Sequence, residues 1–124
     1  MNIKKMISEI EPKELDTETM IANLRNQFVE LYNRKDVTQY VAVLNDMLQL
    51  AINLKQDLIL KHFGAAPVVA SDETMQLQEM FKCLALRSRN SNWFLDLFGL
   101  FLGLAVVLRF RSDEIESTFF QVKH

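Results

Sequence analysis

The sequence predicts an all-α protein: an antiparallel bundle of four main helices with a short N-terminal helical segment and a largely apolar fourth main helix. Three observations predict it. Apolar residues recur three and four positions apart in nearly every window, as on one face of a helix. Only three glycines and two prolines occur, too few turn residues for a set of strands and hairpins. Short polar side chains also stand just ahead of the apolar runs, where a helix start needs an acceptor.

Residues 3–10 form a short amphipathic segment that stops before Pro12. Asp16 or Thr17 caps the first main helix, with Glu18 in its first turn, where the macrodipole favours an acid. Its apolar stripe is Met20, Ile21, Leu24, Phe28, Leu31 and Tyr32, and Glu30 and Arg34 make an outward i,i+4 pair. Asp36, with Gln39 three residues on, reads as a capping box. The helix behind it is expected to be the longest, from Val37 to about Phe63. Its stripe is Val37, Tyr40, Val41, Leu44, Met47, Leu48, Ala51, Ile52, Leu58 and Ile59, and Gly64 is placed to end it. So few residues part these two helices that an antiparallel hairpin follows.

Residues 64–72 are the one clear loop. Ser71 or Asp72 caps the third main helix, with Met75, Leu77, Met80, Phe81 and Leu84 as its core face. The polar run Arg87–Asn92 interrupts the pattern, and Ser91 or Asn92 caps the fourth, from Trp93 to about Arg111. Ser112-Asp-Glu either caps a final short turn or leads into a loose tail to His124. The whole chain, 1–124, reads as a single helical domain, with 1–15 and 112–124 expected to pack most loosely.

Composition narrows the function classes. Hydrophobic residues make up 49% of the chain and charged ones 24%, an ordinary globular balance that argues against disorder. The formal net charge is −2, without the basic surplus that neutralising phosphates requires, so nucleic acid is a poor partner. A single cysteine, Cys83, forms no internal disulfide and fits a reducing compartment. Lysines near the start are followed by no apolar run, so no secretory signal is read, and the expected location is cytoplasmic.

Trp93–Leu108 is apolar all round except at Asp96, so this helix is either buried on every side or sits in lipid. It falls short of the ~20 apolar residues that span a bilayer, which favours burial and makes membrane insertion the second choice. Gly99 and Gly103 form a GxxxG notch where another helix can approach closely, with Asp96 on the same face. Asp96 is expected to be held by helix-start amides or by Arg89. A second candidate surface is the amide-rich face of the long helix: Gln39, Asn45, Gln49, Asn53 and Gln56, with Asp46 and Asp57 among them. Light charge suits an interface centre. Arg87 and Arg89 are candidate basic contacts, although a polar inter-helix loop is the better account of them.

No catalytic signature is found: no phosphate-binding loop, dinucleotide fingerprint, HExxH or GxSxG. His62, His124 and Cys83 are too few and too scattered for a metal site. No catalytic residue, cofactor or metal is therefore assigned. The expectation is a non-enzymatic protein-interaction module, such as an adaptor, secretion-type chaperone or regulator. Its partner is protein, another protein or a second copy of itself in a homo-oligomer. The alternative is a small membrane-associated protein that inserts Trp93–Leu108.

Overall fold

A computed structural model describes residues 1–122. Among them every regular element is helical: α1 (Ile3–Ser8), α2 (Thr17–Arg34), α3 (Val37–Asn53), α4 (Asp57–Phe63), α5 (Glu73–Ala85), α6 (Trp93–Val107) and α7 (Ser112–Gln121), with a 3-10 turn at Arg87–Arg89. The chain forms two compact units, one of residues 1–64 with the segment from Ser112 onward, the other of residues 65–111.

Among the described residues, the starts of α1, α2, α3 and α5 rest on a side-chain acceptor. Asn2, Asp16, Asp36 and Asp72 accept from the backbone N–H three residues on, at Lys5, Thr19, Gln39 and Met75. The aspartates thus settle the start of α2 at Asp16 and of α5 at Asp72, where a carboxylate also meets the positive helix end. In the first unit α2 and α3 pack along one another across a two-residue link, α7 lies against α3, and α1 against α4. The α2 stripe is buried from Met20 to Leu31, and Tyr40, Leu44, Met47 and Leu48 of α3 are fully buried.

The long helix expected from Val37 to Phe63 is instead two helices. After Asn53 the chain turns left-handed at Lys55 (φ 59). The Lys55 N–H bonds Ile52 O and the Gln56 N–H bonds Ala51 O, the paired bonds of a Schellman stop. The restart at Asp57 changes the helical phase. Leu60 becomes the buried residue of α4, while Leu58 and Ile59, expected on the core stripe, face outward.

The chain ends depart from expectation as well. Ile3, Met6, Ile7 and Ile10 are buried, and so are Ile115 and Phe119 of α7. The Asn2 N–H donates to the Glu116 carboxylate, the terminal ammonium lies 3.7 Å from it, and the Lys5 ammonium sits over the Phe120 ring. Residues 3–10 and 112–121 therefore contribute buried side chains, residues 11–15 of the segment expected to pack loosely are exposed, and Lys123 and His124 lie outside the described residues.

In the second unit α5 packs against α6. The α5 inner face is Gln76, Met80 and Leu84, at i, i+4 and i+8, and Met75, expected in the core, is exposed. Nine residues of α6 are buried, on more than one side of the helix. A left-handed stop of the same kind as at Lys55 ends it: the N–H of Arg109 (φ 65) bonds Val106 O and that of Phe110 bonds Ala105 O.

The α3–α4 break makes a direct prediction. Leu60→Ala is expected to cost about 2–5 kcal/mol in urea unfolding. Leu58→Ala, by contrast, stays within about 0.5 kcal/mol of wild type, as an exposed substitution does. The reverse order, with the larger loss at Leu58, is the result an unbroken helix from Val37 would give.

Candidate interaction surface

The amide-rich face is largely spoken for within the first unit. Gln49 is buried, and its amide donates to Glu11 O (2.9 Å) and accepts from the Lys13 N–H (2.8 Å). Asn53 donates to the Thr17 hydroxyl (2.7 Å) at the start of α2. Gln49 fastens the stretch between α1 and α2 onto α3, and Asn53 ties the start of α2 to it; burial takes Gln49 out of the expected contact surface. Gln56 lies in the turn that opens α4. Gln39 accepts weakly from Arg34 (3.3 Å). Asn45 and Asp46 help line a small cavity of about 80 Å³ with Lys13, Leu15, Met20, Asn23 and Gln49. The Asp46 carboxylate accepts from Gln27, and Asn45 Oδ1 is buried with no hydrogen-bond partner among the described residues.

The glycine notch is real, but it is filled from within the second unit. Residues 65–70 run over it as a non-helical strap. A β-carbon on Gly103 would stand 1.8 Å from Val68 O, and one on Gly99 would stand 3.2 Å from Ala66 O. The Val68 N–H donates to Gly99 O (2.9 Å). Gln76, fully buried, completes the seat. Its amide nitrogen donates to Val68 O (2.7 Å) and Leu100 O (2.8 Å), and its oxygen accepts from the Ala70 N–H (2.7 Å). Gly99 and Gly103 are thus occupied by this chain's own backbone rather than open to another helix. Sequence reading missed Gln76 because it placed the polar side of α5 there. No sequence signal marked it: the loop and helix backbone groups that it satisfies are brought to it only by the fold.

Asp96 stands apart from that seat. It is exposed and accepts from the Asn90 amide (2.8 Å), so Asn90 is its partner in place of Arg89. With Glu79, Lys82, Cys83, Leu86, Arg89, Asn90 and Leu100 it lines an open cleft of about 320 Å³. Arg87 turns back to donate to Leu84 O (2.7 Å), sealing the end of α5, while Arg89 stays exposed at the cleft. The Cys83 thiol donates to Trp93 O (3.2 Å). Burial pushes its pKa up, and the negative charges of Asp96 and Glu79 push it further the same way. A thiol so disfavoured as thiolate is a poor nucleophile. Among the described residues no three of the metal-ligating side chains come together, and no single helix is long and apolar enough to cross a membrane.

One surface was not anticipated. On α4, Leu58 is 61% exposed, Ile59 38% and Phe63 85%. Ile59 and Phe63 are one turn apart and share an outer face of this short helix, and Leu58 is exposed about 100° round the helix from Ile59.

Two outcomes follow. Gly103→Ala should lower stability by about 1–3 kcal/mol despite the ~1 kcal/mol that alanine gains in helix propensity, and Gly99→Ala should cost less; thermal unfolding of the pair decides. The pH midpoint for iodoacetamide alkylation of Cys83 should lie above the ~8.5 of a free thiol. Asp96→Asn should lower that midpoint without normalising it, because burial is the larger cause; a midpoint at or below the ordinary value contradicts the cleft geometry.

Comparison with known proteins finds no matching protein family, no similar curated protein and no similar solved structure.

Proposed function

We propose that this chain is a non-enzymatic helical interaction module of the cytoplasm, an adaptor, chaperone or regulator that works through a helix face and assembles with a second copy of itself. The observation that carries the reading is the outer face of α4. Ile59 and Phe63, one turn apart, leave apolar side chains in water on a helix of only seven residues, with Leu58 exposed on its adjoining side. Scattered exposed apolar residues are ordinary, but a contiguous group marks a contact site. Burying such a group gains roughly 25 cal/mol per Å². A two-fold dimer sets the same patch of both subunits together, so an apolar face complements itself. The flanking Lys55, Lys61 and His62 suit the polar rim of such a contact. The antiparallel arrangement of four main helices belongs to the same proposal, with α2–α3 and α5–α6 as the hairpins.

Light scattering on the purified chain at micromolar concentration should return the mass of a dimer or larger assembly. Phe63→Glu, at an exposed position, should shift it to monomer while the thermal midpoint of the monomeric fold is retained. A wild-type monomer with no protein partner in pulldown overturns the reading. Flotation with lipid vesicles in detergent-free buffer supports instead the membrane alternative through Trp93–Leu108.

A further inference from the structure

Residues 9–16 of the first unit carry Glu9, Glu11, Glu14 and Asp16 against one cation, Lys13, and all of these side chains are exposed. The segment is fastened at two places. Buried Gln49 grips it at Glu11 O and the Lys13 N–H, and Asp16 caps α2. Between those fastenings it presents Leu15, 49% exposed, with Glu14 and Asp16 as its neighbours in sequence. A leucine flanked by acids is thus held in place in water, and a segment ordered beforehand loses little freedom on binding.

The outer side of α4 carries the opposite charge around a similar side chain. Leu58 is 61% exposed. Lys61 lies about 60° round the helix from it on one side, and His62 about 40° on the other. Among the described residues Glu11, Glu14, Lys61 and His62 make no ion pair, so neither set of groups is matched there. Size argues the same way. The seven residues of α4 rise only about 10 Å along its axis, whereas a stable contact takes about 20–30 residues from each partner. Setting α4 on α4 would also face basic side chains with basic ones. An acidic second surface with its own exposed leucine removes both difficulties.

We infer that each copy of the chain receives the Glu14–Leu15–Asp16 stretch of a second copy against Leu58, Lys61 and His62 of its α4. The inference rests on the self-association proposed above and names the surface that completes it. A two-fold axis repeats every contact, so the dimer holds two such pairings, with Ile59 and Phe63 of both copies beside them. Leu15 and Leu58 leave water together. Glu14 meets Lys61 at the rim, where charge sets register and choice of partner more than strength.

Sedimentation of the full chain over a range of micromolar concentrations tests the pairing. Glu14→Lys or Lys61→Glu alone should raise the dimer dissociation constant about 10-fold, because each reversal sets like charges together at both pairings. An equimolar mixture of the two variants should recover the wild-type constant, since the mixed dimer joins opposite charges again at both. His62→Glu, at an exposed position, takes the place of Lys61→Glu should the latter unsettle α4. Raising salt from about 0.1 to 1 M, which shortens the screening length from about 10 to 3 Å, should weaken the wild-type dimer. A contact of α4 on α4 would be unchanged or tightened. A wild-type dimer that Glu14→Lys leaves intact, or a mixture as weak as each variant alone, overturns the pairing and leaves self-association through α4 standing. A monomeric wild type overturns both.

Discussion

Val68 O lies 1.8 Å from where a β-carbon on Gly103 would stand, so residues 65–70 can run over α6 only because position 103 is glycine. That close approach organises the second unit. It brings loop backbone groups to a surface with no water to satisfy them, and burial without partners would cost about 1–3 kcal/mol for each group. Gln76 answers the need with three hydrogen bonds from one fully buried side chain. The helix propensity lost at two glycines, roughly 1 kcal/mol each, is offset by what the notch admits.

Helix ends shape both units in a comparable way. Among the described residues the left-handed positions outside glycine are Lys35 and Lys55 in the first unit and Arg109 in the second, each just past the end of a long helix. A left-handed backbone costs a side-chain-bearing residue about 1–2 kcal/mol, but a cation at this end meets the negative pole of the helix. Unbranched side chains also suffer less there than β-branched ones. The stop at Lys55 has the largest consequence: by resetting the phase at Asp57 it buries Leu60 and turns Leu58, Ile59 and Phe63 out. The apolar face proposed as a contact surface is thus a product of how α3 ends.

Much of the fold was legible because its signals are local. Asp16, Asp36 and Asp72 declared the helix starts at which their side chains cap. The spacing of Met20, Ile21, Leu24, Phe28 and Leu31 showed the buried side of α2. The break at Leu54–Gln56 was hidden for a physical reason: a left-handed lysine stop carries no glycine to advertise it, and the apolar spacing resumes after it. The glycine pair was noticed and its close-packing role understood, but the pattern has no term for what enters the notch. A helix, a lipid or a loop is equally compatible with two small residues four apart. Gln76 and Gln49 were hidden because an amide reads as surface unless its partners, distant in sequence, are known.

What the sequence by itself determined is the helical class, the location of most helices, the apolar character of α6 and the small-residue notch along it. These depend on interactions within about four residues, which periodicity and capping record. The tertiary structure decided the occupant of the notch, the fastening of Glu11 and Lys13 by Gln49, the docking of both chain ends, and the exposure of α4. Each depends on groups far apart along the chain coming within hydrogen-bond or van der Waals reach, and no local pattern encodes that.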